Sequence, residues 1–200
     1  MLDARARPML AGSLNRVAAV ADRAGLSPLA VTAAGLVLGL GSAGAAALRW
    51  WPAALALWLL SRLADGVDGP LARRRGPADA GAGGLLDICA DFLVYGATVL
   101  GVAYGAGGSR WPYLLVLLAY YVNGAAFLAF SSLAERAGRQ RDDDRSLSFL
   151  GGLAEGTETI AVHSAWLIFH TAAGAIALVW GVVVLIGALA RVSAGYRALR

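Results

Sequence analysis

Asp65, Asp68, Asp87 and Asp91 are the residues of this 200-residue chain whose type and spacing most invite chemistry. A spacing of three puts Asp65 and Asp68 on one face of a helix, and a spacing of four does the same for Asp87 and Asp91. Two neighbouring helices can therefore aim four carboxylates at one point. On insertion scales each would cost roughly 2.5 to 3.5 kcal/mol at mid-bilayer, and only Arg62 and Arg73 stand close to them on the same segments. The shortfall of positive charge calls for divalent cations. Hard oxygen donors suit Mg2+ or Mn2+, and carboxylates bridging two such ions about 3.5 to 4 Å apart serve phosphoryl chemistry. The competing reading is four interfacial aspartates, solvated or paired with the arginines and binding no metal. Two matched pairs with glycines between them argue against it.

Gly66 and Gly69 remove side chains from the same helical segment, which lets a bulky ligand approach the backbone, and Arg73 offers a planar fork suited to phosphate. A diphosphate ligand answers this description.

These residues must be held by a membrane scaffold. The chain is 58% hydrophobic and 15% charged, with a mean hydropathy of +0.64, too apolar for an ordinary soluble domain of its length. Segments able to cross a hydrocarbon core of roughly 20 apolar residues run over Leu29–Leu48, Pro52–Leu71, Leu85–Tyr104, Tyr113–Leu133, Ile160–Ala173 and Ala175–Val192. The expected fold is all-α, an integral membrane bundle of about six transmembrane helices. The fifth segment is short and its boundary with the sixth is weakly marked around His170 to Gly174, so five spans with a re-entrant piece is the alternative.

Every basic residue is Arg. With the leader, the loops Arg73–Gly83 and Glu135–Gly156 and the C-terminus on one side, only Arg49 and Arg110 fall opposite. The positive-inside rule then places both termini and the carboxylates at the cytoplasmic face, and puts Trp50, Trp51, Trp111 and Tyr113 in an outer aromatic belt. The arginines flank apolar segments and form no basic face with interleaved aromatics, which excludes nucleic acid as a partner. Leu10–Leu26 mixes apolar residues with Asn15, Arg16, Asp22 and Arg23 and reads as an N-terminal amphipathic helix on the inner surface. The organisation expected is a leader and juxtamembrane helix over 1–26, then one membrane domain over 27–200. No cleavable signal peptide is evident, and the single Cys89 excludes an internal disulfide and a zinc cluster.

The stretch Asp65-Gly66-Val67-Asp68-Gly69-Pro70-Leu71-Ala72-Arg73, followed after nine residues by Gly83-Gly84-Leu85-Leu86-Asp87-Ile88-Cys89-Ala90-Asp91, resembles the signature of the CDP-alcohol phosphatidyltransferase family. Asp65, Asp68, Gly69, Ala72, Arg73, Gly83, Asp87 and Asp91 fall on signature positions. Ser27-Pro28-Leu29-Ala30-Val31-Thr32 looks like the stretch with which that family opens its first span and touches the nucleotide.

The resemblance implies a sequential displacement in which Asp65, Asp68 and Asp87 hold two Mg2+ or Mn2+ ions and Asp91 is a further ligand or the general base. An alcohol acceptor, deprotonated by Asp91, would attack the lipid-side phosphorus of CDP-diacylglycerol or a related CDP-lipid, and CMP would leave. Gly66, Gly69, Ala72, Arg73, Gly83, Leu29, Ala30, Val31 and Thr32 would line the donor site. A homodimer in the plasma membrane of a bacterium, surrounded by membrane lipids, is implied as well.

The acceptor side departs from relatives that take phosphorylated alcohols, because Phe92 rather than a basic residue follows Asp91. Glu155-Gly156-Thr157-Glu158-Thr159 is also acidic and hydroxylated where a second phosphate would call for Arg. A neutral or amino-bearing alcohol fits better, with Thr157 and Glu158 as acceptor-side candidates, although Arg136, Arg139, Arg141 and Arg145 could fold back over the site. His163, His170, Asn123, Tyr120 and Tyr121 read as interhelical glue, and Cys89 as a small packing residue beside the site face. Two other classes compete: a divalent-cation transporter or channel lined by the aspartates, and an inactive relative. A channel would need a second acidic set in the outer halves of the spans, and none is present.

Overall fold

A stop signal and a start signal near the N-terminus show how local chemistry sets the elements. Helix α1 (Asp3–Arg23) ends where Gly25 adopts φ 76°, with the Gly25 and Leu26 amides donating back to the Asp22 and Ala21 carbonyls, each at 3.0 Å. This is a glycine-terminated helix end whose last carbonyls are satisfied. Ser27 then opens α2 (Pro28–Ala47): its hydroxyl accepts from the Ala30 amide at 3.1 Å, and Pro28 fills the first turn, where no amide is needed.

The structure, a computed structural model, describes residues 3–76, 80–136 and 156–200. After α2 come α3 (Trp51–Arg75), α4 (Ala80–Gly105), α5 (Trp111–Arg136), α6 (Gly156–Ile168) and α7 (Ala173–Leu199), with a 3-10 turn at His170–Ala172. No strand occurs among the described residues. The fold is an all-helical integral membrane bundle. Helices α2, α4, α5 and the stretch 170–199 are long and apolar enough to span a membrane on their own. Helix α3 carries Arg62, Asp65, Asp68 and three terminal arginines, and α6 has 13 residues, about 20 Å of helix. The weak boundary expected near His170 is the 3-10 turn.

Helix α2 is the common platform: it packs along both α3 and α4, while α5 packs along α7 and α6 lies against α3 and α7. Small residues permit this. Gly35, Gly39, Ser42, Ala43 and Ala46 form the buried stripe of α2, a spacing that brings backbones close where lipid supplies no drive for association. From the α4 side, a Cβ on Gly101 would overlap the Ala43 carbonyl, and one on Gly105 the Ala46 carbonyl. The core between these layers gathers Trp58, Val94, Val99, Val102, Tyr113, Val116, Trp166 and Trp180.

Helix α1 does more than lie on a surface. Leu14, Ala18 and Ala21 pack against Val67 and Leu71 of α3 and Val31 of α2, and Asp22 accepts from Arg75 Nε at 3.0 Å. Its outward arc of Met9, Leu10, Val17 and Val20 stays exposed, as an interfacial helix requires.

Some expectations are corrected. Tyr113 is 2% exposed and packs edge-on to Trp166, so it belongs to the core and not to an outer belt, whereas Trp50 and Trp111 do face outward. Tyr121 and Cys89 are exposed, so neither is buried between helices. His170 joins no helices through Nδ1, which has no hydrogen-bond partner; the ring packs edge-on against Trp51 at 4.6 Å. Arg139, Arg141, Arg145 and Glu155 lie outside the described residues.

Gly101→Ala is expected to lower the thermal unfolding midpoint of the purified protein, because overpacking against backbone costs roughly 1–3 kcal/mol. Gly44→Ala, where a Cβ meets nothing within 4 Å, is the control. Equal midpoints would refute close α2–α4 packing.

Candidate active site

The chemistry-bearing residues converge at the end of the bundle where α3 finishes and α4 begins. Asp65 lies within hydrogen-bond reach of Asp91, and Asp68 within reach of Asp87. The two acidic rows therefore face each other across the helices, as the spacings predict. Among the described residues no three carboxylate, imidazole or thiol groups already close around one point.

Two side chains organise the pairs. Thr32 Oγ1 lies 2.7 Å from Asp68 Oδ2 and 3.1 Å from the Pro28 carbonyl. Its single proton favours the charged oxygen, since hydrogen bonds to ionised acceptors are the stronger. Arg62 Nη1 lies 2.6 Å from Asp91 Oδ1 and 3.8 Å from Asp65 Oδ2. The position one turn before Asp65 was a legible signal for that second contact; the first crosses to another helix.

The donor-side residues divide. A Cβ on Gly69 would meet only Nη1 of the exposed Arg73, at 3.5 Å, and one on Gly83 would meet nothing within 4 Å, so both border open space. Gly66 does not: a Cβ there would press on Leu14 at 3.2 Å, so its missing side chain seats α1. Ala72 is half-buried, Leu29 and Ala30 are exposed, and Val31 packs into the α1–α3 contact. Pro70 lies inside α3 and has no amide to give the Gly66 carbonyl one turn back, leaving that oxygen without its helical bond.

On the acceptor side, Thr157 and Glu158 occupy the first turn of α6 and are half-buried. Phe92 packs onto Gly124 of α5, where a Cβ would overlap its ring. One residue away, Asn123 Oδ1 accepts from Arg191 Nη1 of α7 at 2.7 Å. Arg191 is 7% exposed, a buried cation that its place in a terminal Arg-containing segment did not single out.

Behind the carboxylates lies a hydrogen-bonded aromatic core. Trp180 Nε1 donates to Tyr120 Oη at 2.8 Å, and Tyr120 Oη stands 2.8 Å from His163 Nε2. This joins α5, α6 and α7, the interhelical role expected of Tyr120 and His163.

The donor set fits divalent cations in chemistry: four hard carboxylates in facing pairs, with one guanidinium in contact against them. Gathering them round a shared ion requires the side chains to turn from their partners.

Comparison with known proteins agrees with this geometry. The family model "CDP-alcohol phosphatidyltransferase" matches residues 25–192. The chain is 37% identical over 211 residues to the inner membrane protein YnjF of Escherichia coli (strain K12), covering 100% of this chain and 98% of YnjF. Among solved structures it is similar to the phosphatidylinositol phosphate synthase PgsA1 of Mycobacterium tuberculosis with CDP-DAG bound, with a TM-score of 0.70, 21% identity and coverage of 92% of this chain and 93% of that one. The same synthase in complex with manganese and citrate gives a TM-score of 0.71 at 22% identity, over 92% and 88% of the two chains. At those identities the synthase attests to the fold alone. The chain belongs to the CDP-alcohol phosphatidyltransferase family and is an integral membrane transferase of phospholipid synthesis.

Proposed function

We propose that the protein transfers a phosphatidyl group from CDP-diacylglycerol, or a closely related CDP-lipid, to a neutral or amino-bearing alcohol and releases CMP. The observation that carries this reading is the pair of acidic rows facing each other across α3 and α4 beside open space at Gly69 and Gly83. Asp65, Asp68 and Asp87 would hold Mg2+ or Mn2+, two ions by the count of carboxylates. Bound there, the ions would neutralise the diphosphate and stabilise the leaving CMP. The synthase similar at the level of fold carries CDP-DAG in one structure and manganese with citrate in another, which supports both ligand classes.

The chain's own residues supply position and a proton acceptor. Arg73, arched over Gly69, would take a phosphate in its planar fork. Asp91, its Oδ1 engaged by Arg62, would offer its carboxylate to an acceptor hydroxyl. It takes that proton as the alcohol oxygen forms its bond to the lipid-side phosphorus, and the bond to the bridging diphosphate oxygen breaks with CMP carrying the electron pair. Holding both reactants at one place supplies much of the acceleration. Phe92, packed on Gly124, offers no charge to a phosphorylated acceptor, and Thr157 and Glu158 can bond a hydroxyl or an amine. The arginine distribution supports a site at the cytoplasmic face with both termini on that side; residues 1–26 form the surface segment, residues 27–200 the catalytic membrane domain, and the working unit is a homodimer.

Purified protein given CDP-diacylglycerol, Mg2+ or Mn2+ and a panel of alcohols should release CMP and form one lipid product, read by mass spectrometry. Absence of CMP release with every acceptor in the panel would sink the reading. Asp91→Asn should abolish turnover while the protein stays folded; retained turnover would remove Asp91 from its role.

Thr32 lets Asp68 be tested separately. Thr32→Val deletes a hydrogen bond to a charged group, worth roughly 1.5–3 kcal/mol, and should raise the half-saturating Mn2+ for turnover by about tenfold or more. Thr32→Ser should stay near wild type. Equal metal dependence in both variants would show that the hydroxyl does not steady Asp68.

A further inference from the structure

Arg62 is 7% exposed and lies at the floor of the carboxylate cluster. Besides its contacts with Asp91 and Asp65, its Nη2 donates to Ser61 Oγ at 3.0 Å, and that hydroxyl donates to the Gly35 carbonyl of α2 at 2.7 Å. The guanidinium carbon sits 5.1 Å from the Trp58 ring centroid and 5.0 Å from that of Tyr95, a cation over two π faces. Its Nε has no hydrogen-bond partner. Trp58 is fixed in turn by its indole N–H to Ser164 Oγ of α6 at 3.2 Å and by the His163 ring stacked at 4.9 Å. The side chain is held by residues of α3 and α4, which α2 and α6 fix in turn through Ser61 and Trp58, and, being Arg, stays charged.

A fixed charge in this place has two electrostatic consequences. It offsets repulsion among the carboxylates when no ion is bound, and it opposes any divalent ion that arrives. We propose that Arg62 is a resident counter-cation of the site: a positioning residue that holds Asp91 and Asp65 in place in the metal-free protein and sets metal affinity below what four unopposed carboxylates would give. This rests on the reading of the aspartates as the cation site. A purely structural arginine, a peg filling the gap between Trp58 and Tyr95, would leave metal affinity untouched.

Linkage separates the two, because an ion that binds only the folded state raises stability according to its affinity. Thermal unfolding of the full-length protein in detergent would be followed in EDTA and across a Mn2+ series for wild type, Arg62→Gln, Arg62→Lys and the double variant Arg62→Gln/Asp91→Asn. In EDTA, Arg62→Gln should unfold at a lower temperature than wild type. Its rise in midpoint with Mn2+ should be larger, with half-saturation at about tenfold lower Mn2+. The double variant, no longer carrying the orphaned carboxylate, should recover part of the loss in EDTA. At saturating Mn2+, Arg62→Gln should lose kcat with little change in KM for CDP-diacylglycerol.

An equal loss of midpoint at every Mn2+ concentration, with half-saturation unchanged, would reduce Arg62 to a packing peg and overturn the proposal. If Arg62→Gln does not fold, Arg62→Lys decides: it keeps the charge but not the fork, and should shift half-saturation less than threefold while lowering kcat. An Arg62→Lys protein with wild-type kcat would overturn the positioning role. A wild-type protein indifferent to Mn2+ would remove the cation site itself, and the Arg62 proposal with it.

Discussion

Negative charge concentrated at the edge of a hydrocarbon layer is the constraint on which the rest of this molecule depends. Four aspartates face one another across α3 and α4, and the Arg62 guanidinium from the bundle interior touches two of them. Unpaired carboxylates in so dry a place would tend to part the helices that carry them. What opposes that separation is largely uncharged: the small-residue stripe of α2, to which both acidic helices are fastened. The electrostatic demand of the site and the close packing of the scaffold are thus two sides of one requirement.

The aromatic core answers a related requirement. A cation as long as Arg62 must reach the carboxylates from below through the bundle interior, and it does so by resting on the faces of Trp58 and Tyr95. Those rings are steadied by His163 and Ser164 of α6, a helix too short to cross a full hydrocarbon layer of about 30 Å. Its contribution is to carry polar and aromatic groups inward to the place where α3 needs support. On the far side, Tyr120 and Trp180 tie the α5–α7 pair to the same histidine.

How much of this could be read from residues alone follows from where helical periodicity is informative. The spacings of Asp65, Asp68, Asp87 and Asp91 put them on facing rows because polar residues stand out against an apolar background. The apolar residues gave no such contrast, since in a bilayer the face turned to lipid and the face turned to the core are equally greasy. Tyr113 therefore passed for a belt residue although it is buried, and Tyr121 and Cys89 passed for packing residues although they face outward. Gly66 shows a second limit: a glycine beside a ligand and a glycine beside another helix look alike until Leu14 is seen lying on it. Partnerships between helices, Arg62 with Asp91 and Arg191 with Asn123, had no local signature. Thr32 was found through its family resemblance, and its bond to Asp68 emerged only from the fold.

Helix α2 has no ionisable side chain, yet Gly35 lends its carbonyl to Ser61, Ser61 accepts from Arg62, and Thr32 reaches Asp68 from the first turn. The segment that reads as a plain lipid anchor is in effect the gauge block against which the acidic rows are set. A change of one carbon along it would be felt as altered chemistry several ångströms away, and in such a membrane enzyme functional tolerance and steric tolerance become hard to tell apart.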